Sequence, residues 1–245
     1  MAFVKTLFFK APWTIFFTAV MGTLSLLIAP FDKGGNKQCK LARIWAKLLL
    51  LGMGLRVKIE GKEKIDPAKN YIFVSNHLSF TDTPVILGNI PANFRFMAKS
   101  GLFKIPLLGH HLRTASHIPV SLENPREAVR SLTEASRIIR EHDLSVLVFP
   151  EGGRSEGVLE PFKEGAAYVA IKSGLAIIPI ALLGTRAAMP MHGFTIRGGD
   201  VTIRIGDPIS TEGLTTRDRE ALTSQLRAAV AELLETPATA YTQPL

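Results

Sequence analysis

The 245-residue chain has a single cysteine, Cys39, so it forms no internal disulfide and offers no multi-cysteine metal site. Charged residues make up only 20% of it against 47% hydrophobic ones, a composition that excludes a disordered chain, a collagen and a coiled coil. No stretch is rich enough in Gly or Ser to act as a linker, and no repeat or low-complexity segment divides the chain. Acidic residues are nearly missing from the first 60 positions. There Asp32 and Glu60 stand against nine Lys/Arg, a balance of +7 within a total of +8. The other 185 residues carry 20 basic and 19 acidic groups. A basic chain raises nucleic acid first, but a nearly neutral body without a basic and aromatic stripe argues against that partner.

The N-terminal quarter is apolar as well as basic. Residues 11–31 are 21 uncharged positions between Lys10 and Asp32. As a helix they cover roughly 30 Å, the thickness of a bilayer's hydrocarbon core. Pro12 and Pro30 fall near the ends, and Thr14, Thr18, Thr23 and Ser25 are mild interruptions that back-bond to a helix. The run is long for a signal peptide, and Ile28-Ala29-Pro30 is a poor cleavage site. Residues 38–55 read as a second helix, with Leu41, Ile44, Trp45, Leu48 and Gly52 on one side and Lys40, Arg43 and Lys47 on the other. That pattern suits an anionic headgroup layer; a core helix with a solvated lysine face is the alternative. Residues 1–55 are therefore expected to be a membrane-anchoring helix pair. Lys33, Lys37, Lys40, Arg43 and Lys47 follow the apolar run, which puts the main domain on the cytoplasmic side, at the inner membrane in a bacterium.

From residue 56 short β runs alternate with helical stretches. Strands are predicted at 56–60, 71–75, 94–98, 117–120, 145–149, 176–183 and 201–205, and helices at 84–89, 124–142, 164–173 and 215–235. Asn124-Pro125 is a cap followed by proline at the first helical position. The expected fold class is α/β, a mixed sheet sandwiched by helices over 56–235, with a flexible tail at 236–245.

Two segments carry chemistry. Asn76-His77-Leu78-Ser79-Phe80-Thr81-Asp82 directly follows the 71–75 strand, and Thr83-Pro84 looks like a helix cap and first turn. A strand end opening into a helix is where α/β proteins place reactive groups. Such a turn can fold Asp82 onto one imidazole nitrogen of His77, leaving the other free as a general base. The second segment, Glu151-Gly152-Gly153-Arg154-Ser155, follows the 145–149 strand and Pro150. Its glycines let the backbone approach a ligand, and Arg154 offers a planar fork for phosphate or carboxylate oxygens. Glu151 either holds the turn or pairs with the cation.

Together these segments resemble the glycerolipid acyltransferases, most of all the 1-acyl-glycerol-3-phosphate (lysophosphatidic acid) acyltransferase group. The resemblance runs from about residue 56 to 210. It includes Lys99, Phe103, Pro106 and Gly109, then Phe162-Lys163-x-Gly165 and the Ile178-Pro179-Ile180 strand. It implies that His77, oriented by Asp82, takes a proton from a glycerol hydroxyl. The oxygen then attacks the thioester of acyl-CoA or acyl carrier protein with no acyl-enzyme. Glu151, Gly152 and Arg154, helped by Lys99 or Lys163, are the implied phosphate-binding set for a lysophospholipid acceptor at the bilayer. No metal and no cofactor are implied.

The sequence departs from the family pattern in three places. Gly153 fills a threonine slot, Gly101 a glutamate slot, and Val120-Ser121-Leu122 lacks an arginine that the family associates with acceptor phosphate. Arg95, Lys104 and Arg113 are candidates to replace that arginine, and another lysolipid, such as a lyso-aminolipid, stays open as the acceptor. Three rival readings remain. Gly153-Arg154-Ser155-Glu156-Gly157 spells a serine-hydrolase motif, yet Ser155 lies six residues past Phe149 rather than at a strand-to-helix turn. His110, His111 and His117 lack carboxylates at ligand spacing, so a structural role is expected. A non-enzymatic membrane adaptor explains residues 1–60 but not the two segments. The apolar stretch from Leu102 to Leu112 is expected to line an acyl groove or meet the membrane.

Overall fold

Strands that are buried on both faces read as unbroken apolar runs, and such strands belong in a parallel sheet with helices on either side. The computed structural model, which describes residues 2–121, 124–190 and 195–236, has that arrangement. Seven strands appear: β1 (Leu55–Glu60), β2 (Ile72–Ser75), β3 (Phe94–Lys99), β4 (Ile118–Val120), β5 (Ser145–Val148), β6 (Ile177–Leu183) and β7 (Gly199–Ile205). Their order is β1-β7-β6-β2-β5-β3-β4. The five strands from β6 to β4 run parallel, and β7 turns antiparallel against β6 with β1 parallel beside it. The sheet is mixed, as expected. The tail expected from 236 onward lies, apart from Thr236, outside the described residues.

Phe73 on β2 points to one face of the sheet and its neighbours Ile72 and Val74 to the other, and each side is covered by helices. On the far side pack α6 (Pro125–Glu141), α7 (Gly165–Ser173) and α9 (Arg219–Glu235), through residues such as Ile139, Val169 and Leu226. The side chain of Asn124 accepts the Glu127 amide at 2.9 Å and starts α6 as its sequence predicts. α9 starts at Arg219 rather than 215, because Thr215 and Asp218 close a turn through two 2.8 Å bonds to one Asp218 oxygen. Two short helices have no counterpart in the sequence reading, α5 (Leu108–Thr114) and α8 (Thr185–Ala188).

The near side is covered by α4 (Asp82–Asn89) and by a helical hairpin. Its first arm runs unbroken from Ala2 to Phe31 as α1 (Ala2–Lys5), a π turn (Thr6–Lys10), α2 (Ala11–Ile28) and a final 3₁₀ turn. The helix therefore starts well before the apolar run, and Pro12 lies inside it. The π turn directly ahead of Pro12 relaxes the ladder where proline supplies no N–H. The second arm, α3 (Asn36–Met53), returns antiparallel: Trp13 Nε1 donates to the Leu48 carbonyl at 2.9 Å, and Gln38 Nε2 to Ser25 Oγ at 3.1 Å.

α3 corrects the amphipathic assignment. Its buried positions are Gln38, Cys39, Ala46, Leu49, Leu50, Gly52 and Met53, so of the expected apolar side only Gly52 is fully buried, while Ala46, Leu49, Leu50 and Met53 join the same core as Phe73 and Ile180. Ile44 is exposed, and Trp45 faces α2, where Nε1 meets Thr18 Oγ1 at 3.1 Å. Of the predicted basic side, Lys40 and Lys47 are exposed, but Arg43 is bound to the body. Its guanidinium donates to the Ile90 carbonyl at 2.8 Å and to the Ala92 carbonyl, which ties α3 to the α4–β3 turn. The hairpin is thus continuous with the α/β body, and the boundary at residue 55 divides chain order rather than packing. Both ends are pinned. Lys10 Nζ donates to Met53, Ile196 and Arg197 carbonyls at 2.8–3.2 Å, and Ser25 Oγ lies 2.8 Å from His111 Nδ1. The outward side of the first arm exposes Phe8, Ile15, Phe16, Leu24, Leu27 and Phe31. That helix is long and apolar enough to cross a membrane.

Candidate active site

Because β6, β2, β5 and β3 are parallel neighbours, the segments that leave their carboxyl ends share one edge of the sheet. This edge receives the His77 turn after β2, the Glu151 loop after β5, Lys99 at the end of β3 and Gly184 after β6. Asn76 locks the first of these in place. Its amide donates to the Leu182 carbonyl at 3.0 Å and accepts the Leu182 amide at 2.7 Å.

The turn brings His77 and Asp82 together. Asp82 itself begins α4, one residue ahead of the Thr83 cap that the sequence suggests. Its side chain points back along the chain instead of outward. Oδ2 receives the Leu78 amide at 2.6 Å, the Ser79 amide at 2.8 Å and His77 Nδ1 at 2.8 Å. Three donors on one oxygen suit an anionic carboxylate, and the bond to Nδ1 fixes the tautomer that leaves Nε2 as the acceptor. Asp82 is fully buried, whereas the His77 side chain retains 18% exposure. The imidazole stacks on Phe149, centroids 4.1 Å apart and planes 15° from parallel. The ring is thereby held from one edge and one face, and Nε2 stays available to a reactant.

The loop after β5 is laced to this turn. Glu151 Oε1 accepts the His77 amide at 2.6 Å, Oε2 accepts the Glu160 amide at 3.1 Å, and the Ser155 amide donates to the His77 carbonyl at 2.8 Å. Both carboxylate oxygens of Glu151 are therefore taken by backbone, which corrects its assignment to phosphate binding: it holds the turn. Burial pushes its carboxyl above the ordinary glutamate range, while the two amide donors pull it back. Gly152 has φ +74°, and a Cβ there would stand 2.7 Å from Lys163 Nζ, so only glycine lets the lysine lie over the loop. Arg154 is half-buried with its guanidinium 3.5 Å from the centre of the Phe80 ring, a cation–π contact, and among the described residues no hydrogen bond takes up its N–H fork. Lys99 is exposed on the same edge, two strands away from β2.

Of the cations considered for the missing arginine, two are otherwise engaged. Arg95 is fully buried under the hairpin and donates to the Gly34 carbonyl (2.7 Å), Asn36 Oδ1 (2.8 Å) and Asn93 Oδ1 (3.0 Å). Arg113 donates to the Phe103 carbonyl. Lys104 is exposed at the end of the 3₁₀ turn after β3. Ser155 is buried within a loop that reaches no helix until Gly165, which is not the strand-to-helix elbow a nucleophilic serine needs. Sequence reasoning missed Phe149 and Phe80. Phe80 stands inside the first segment and Phe149 two residues ahead of the second, yet nothing in their spacing says that one ring meets Arg154 and the other the imidazole of His77.

The three histidines do not converge on a metal. His111 Nδ1 meets Ser25, and His117 Nδ1 accepts the Phe96 amide at 2.9 Å. Among the described residues no group of three potential ligands forms. Burial lowers His117 to about 3, with His111 and Arg95 adding to the shift. A histidine held neutral in the fold but protonated when unfolded stabilises the protein above its unfolded value near 6.5, and that stability is lost as pH falls from there towards 3. The slope is about 1.4 kcal/mol per pH unit. Urea midpoints should accordingly fall between about pH 6.5 and about pH 4, and His117→Gln should flatten that fall. An unchanged slope in the variant would assign the acid sensitivity elsewhere.

Comparison with known proteins places these features in context. Residues 56–183 match the family model named Acyltransferase. A 1-acyl-sn-glycerol-3-phosphate acyltransferase of Limnanthes douglasii is 37% identical over 163 residues, 66% of this chain and 57% of that protein. The chloroplastic 1-acyl-sn-glycerol-3-phosphate acyltransferase LPAT1 of Arabidopsis thaliana is 32% identical over 198 residues, 80% of this chain and 53% of that one. The matched stretch thus spans little more than half the length of these plant relatives. The crystal structure of the 1-acyl-sn-glycerophosphate acyltransferase PlsC from Thermotoga maritima superposes with a TM-score of 0.77 at 27% identity, covering 98% of this chain and 100% of that one.

Proposed function

The chain belongs to the acyltransferase family, and we propose that it moves a fatty acyl group from an acyl thioester to the sn-2 hydroxyl of lysophosphatidic acid, giving phosphatidic acid. The observation that carries this reading is the His77–Asp82 pair, with Nε2 free, on the same sheet edge as Arg154, Gly152 and Lys163. The similarity to relatives named for this activity supports it.

His77 Nε2 takes the proton of the acceptor hydroxyl as its oxygen attacks the thioester carbonyl. The imidazolium that forms is stabilised through Nδ1 by the Asp82 carboxylate. The tetrahedral adduct then expels the thiolate, which regains the proton from Nε2, so one thiol leaves for each ester made. No acyl-enzyme is needed, because donor carbonyl and acceptor oxygen meet directly. Arg154 and Lys163, with the Gly152 backbone, hold the acceptor's phosphate, and Lys99 lends charge from the flank. The donor is acyl-CoA or acyl carrier protein. The outward apolar side of the first helix supports membrane attachment, which brings the active edge to its lipid substrate on the cytoplasmic side.

Arg154→Gln is expected to raise KM for lysophosphatidic acid about ten- to a hundredfold and leave kcat within a few-fold, since a charge-assisted bond to phosphate is lost in ground and transition states alike. Steady-state kinetics in neutral detergent check this. The activity itself is tested by offering the detergent-extracted protein lysophosphatidic acid with each thioester donor and identifying the lipid product by mass. A phosphatidic acid product supports the proposal. Product only from another lysolipid, such as a lyso-aminolipid, would change the acceptor, and no product from any would overturn the function.

A further inference from the structure

None of the roles above uses Arg186, although it stands on the same edge. It is the second residue of α8, directly after β6 and the left-handed Gly184. Its guanidinium lies against the loop that carries Arg154: a Cβ on Gly157 would stand 2.0 Å from Arg186 Nη1. Gly157 itself has φ +108°, a backbone shape that favours glycine, and the Arg186 guanidinium occupies the space a side chain there would enter. The stretch from Gly152 to Gly157 therefore runs between two cations, with Lys163 against its first glycine and Arg186 against its last. Arg154 lies between them on Phe80. α8 is also tied to the catalytic turn, because Ser79 Oγ donates to the Met189 carbonyl at 2.8 Å. Arg186 is exposed, and its side chain forms no ion pair or hydrogen bond with another of the described residues. Arg95 and Arg113, by contrast, donate to backbone carbonyls of the fold.

A phosphate monoester carries between one and two negative charges near neutral pH and presents three acceptor oxygens. A single guanidinium fork satisfies two of those oxygens and one charge. We propose that Arg186 is the second arginine of the acceptor phosphate site and a specificity-determining residue, favouring a phosphate monoester over a zwitterionic phosphodiester headgroup. The inference rests on the reading of this edge as the lysolipid site. A zwitterionic headgroup has one negative charge for Arg154 and brings an ammonium towards Arg186, which disfavours it.

The test compares wild type, Arg186→Gln and Arg186→Lys in neutral detergent, with lysophosphatidic acid and lysophosphatidylethanolamine as acceptors. The glutamine variant should raise KM for lysophosphatidic acid about tenfold or more, leave kcat within about threefold and lower KM for the zwitterionic acceptor, whose ammonium no longer meets a like charge. The lysine variant should recover most of the loss. Glycerol 3-phosphate, as an equilibrium probe, should raise the thermal midpoint of wild type and not that of Arg186→Gln. An unchanged KM in the glutamine variant overturns the proposal. So does an equal loss on both acceptors together with a lower midpoint, which marks a loop brace only. Wild type that makes no product from lysophosphatidic acid overturns the functional reading itself, before any variant is compared.

Discussion

Replacing His77 by alanine should lower kcat by about 10³–10⁴-fold, the upper part of the range expected of a positioned general base. KM for lysophosphatidic acid should stay within about threefold, because the acceptor's phosphate is held by Arg154 and its neighbours rather than by the imidazole. The protein should remain folded. Asp82 Oδ2 keeps the Leu78 and Ser79 amides when the ring is gone, and the Asn76–Leu182 and Glu151 bonds that hold the turn do not involve the imidazole. His77→Gln fills more of the space over Phe149 without a base and should be equally inactive. Activity restored by glutamine would mean that the ring serves as packing.

Asp82→Asn should cost about 10²–10³-fold in kcat with little change in thermal midpoint. The asparagine oxygen can still accept the two backbone amides and Nδ1–H, so the geometry of the turn survives. What disappears is the negative charge opposite the imidazolium. Asp82→Ala is a poorer test, since it leaves two backbone donors and a ring nitrogen unsatisfied, at about 1–3 kcal/mol for each buried one. A midpoint drop in the alanine variant with the asparagine variant both stable and slow would separate the two contributions. If Asp82→Asn kept wild-type kcat, the carboxylate would be structural only.

The seven strands among the described residues are legible in the sequence for two reasons: β2 and β5, buried on both faces, leave apolar runs such as Ile72-Phe73-Val74 and Val146-Leu147-Val148, whereas β1 and β7 alternate apolar with polar or charged residues. The pairing of β1 with β7, far apart in the chain, is not legible, since nothing in either strand names its partner. Helix α3 shows how a periodic pattern misleads. Leu41, Ile44, Trp45, Leu48 and Gly52 form one apolar stripe and Ala46, Leu49, Leu50 and Met53 another, and packing against α4 and the sheet decides that the second is buried. The His77–Asp82 contact is readable from a five-residue spacing because a tight turn folds the carboxylate back onto the ring. Glu151 is a different case: a carboxylate beside two glycines and an arginine is read from the sequence either as holding the turn or as an ion pair, and only the backbone geometry, which sends both its oxygens to the amides of His77 and Glu160, decides for the turn. The place of Arg186 is not legible either, because it follows Gly157 by 29 positions and the sheet alone brings the two together.

The most direct test of direct acyl transfer follows thiol release and phosphatidic acid in the same reaction, in wild type and His77→Ala. With acyl thioester alone, wild type should release no thiol and show no acyl adduct by intact mass. On addition of lysophosphatidic acid it should release one thiol per phosphatidic acid formed, and His77→Ala should produce neither at a comparable rate. Thiol release without acceptor, an acyl adduct on Ser155, or full activity in the alanine variant would contradict direct transfer driven by His77.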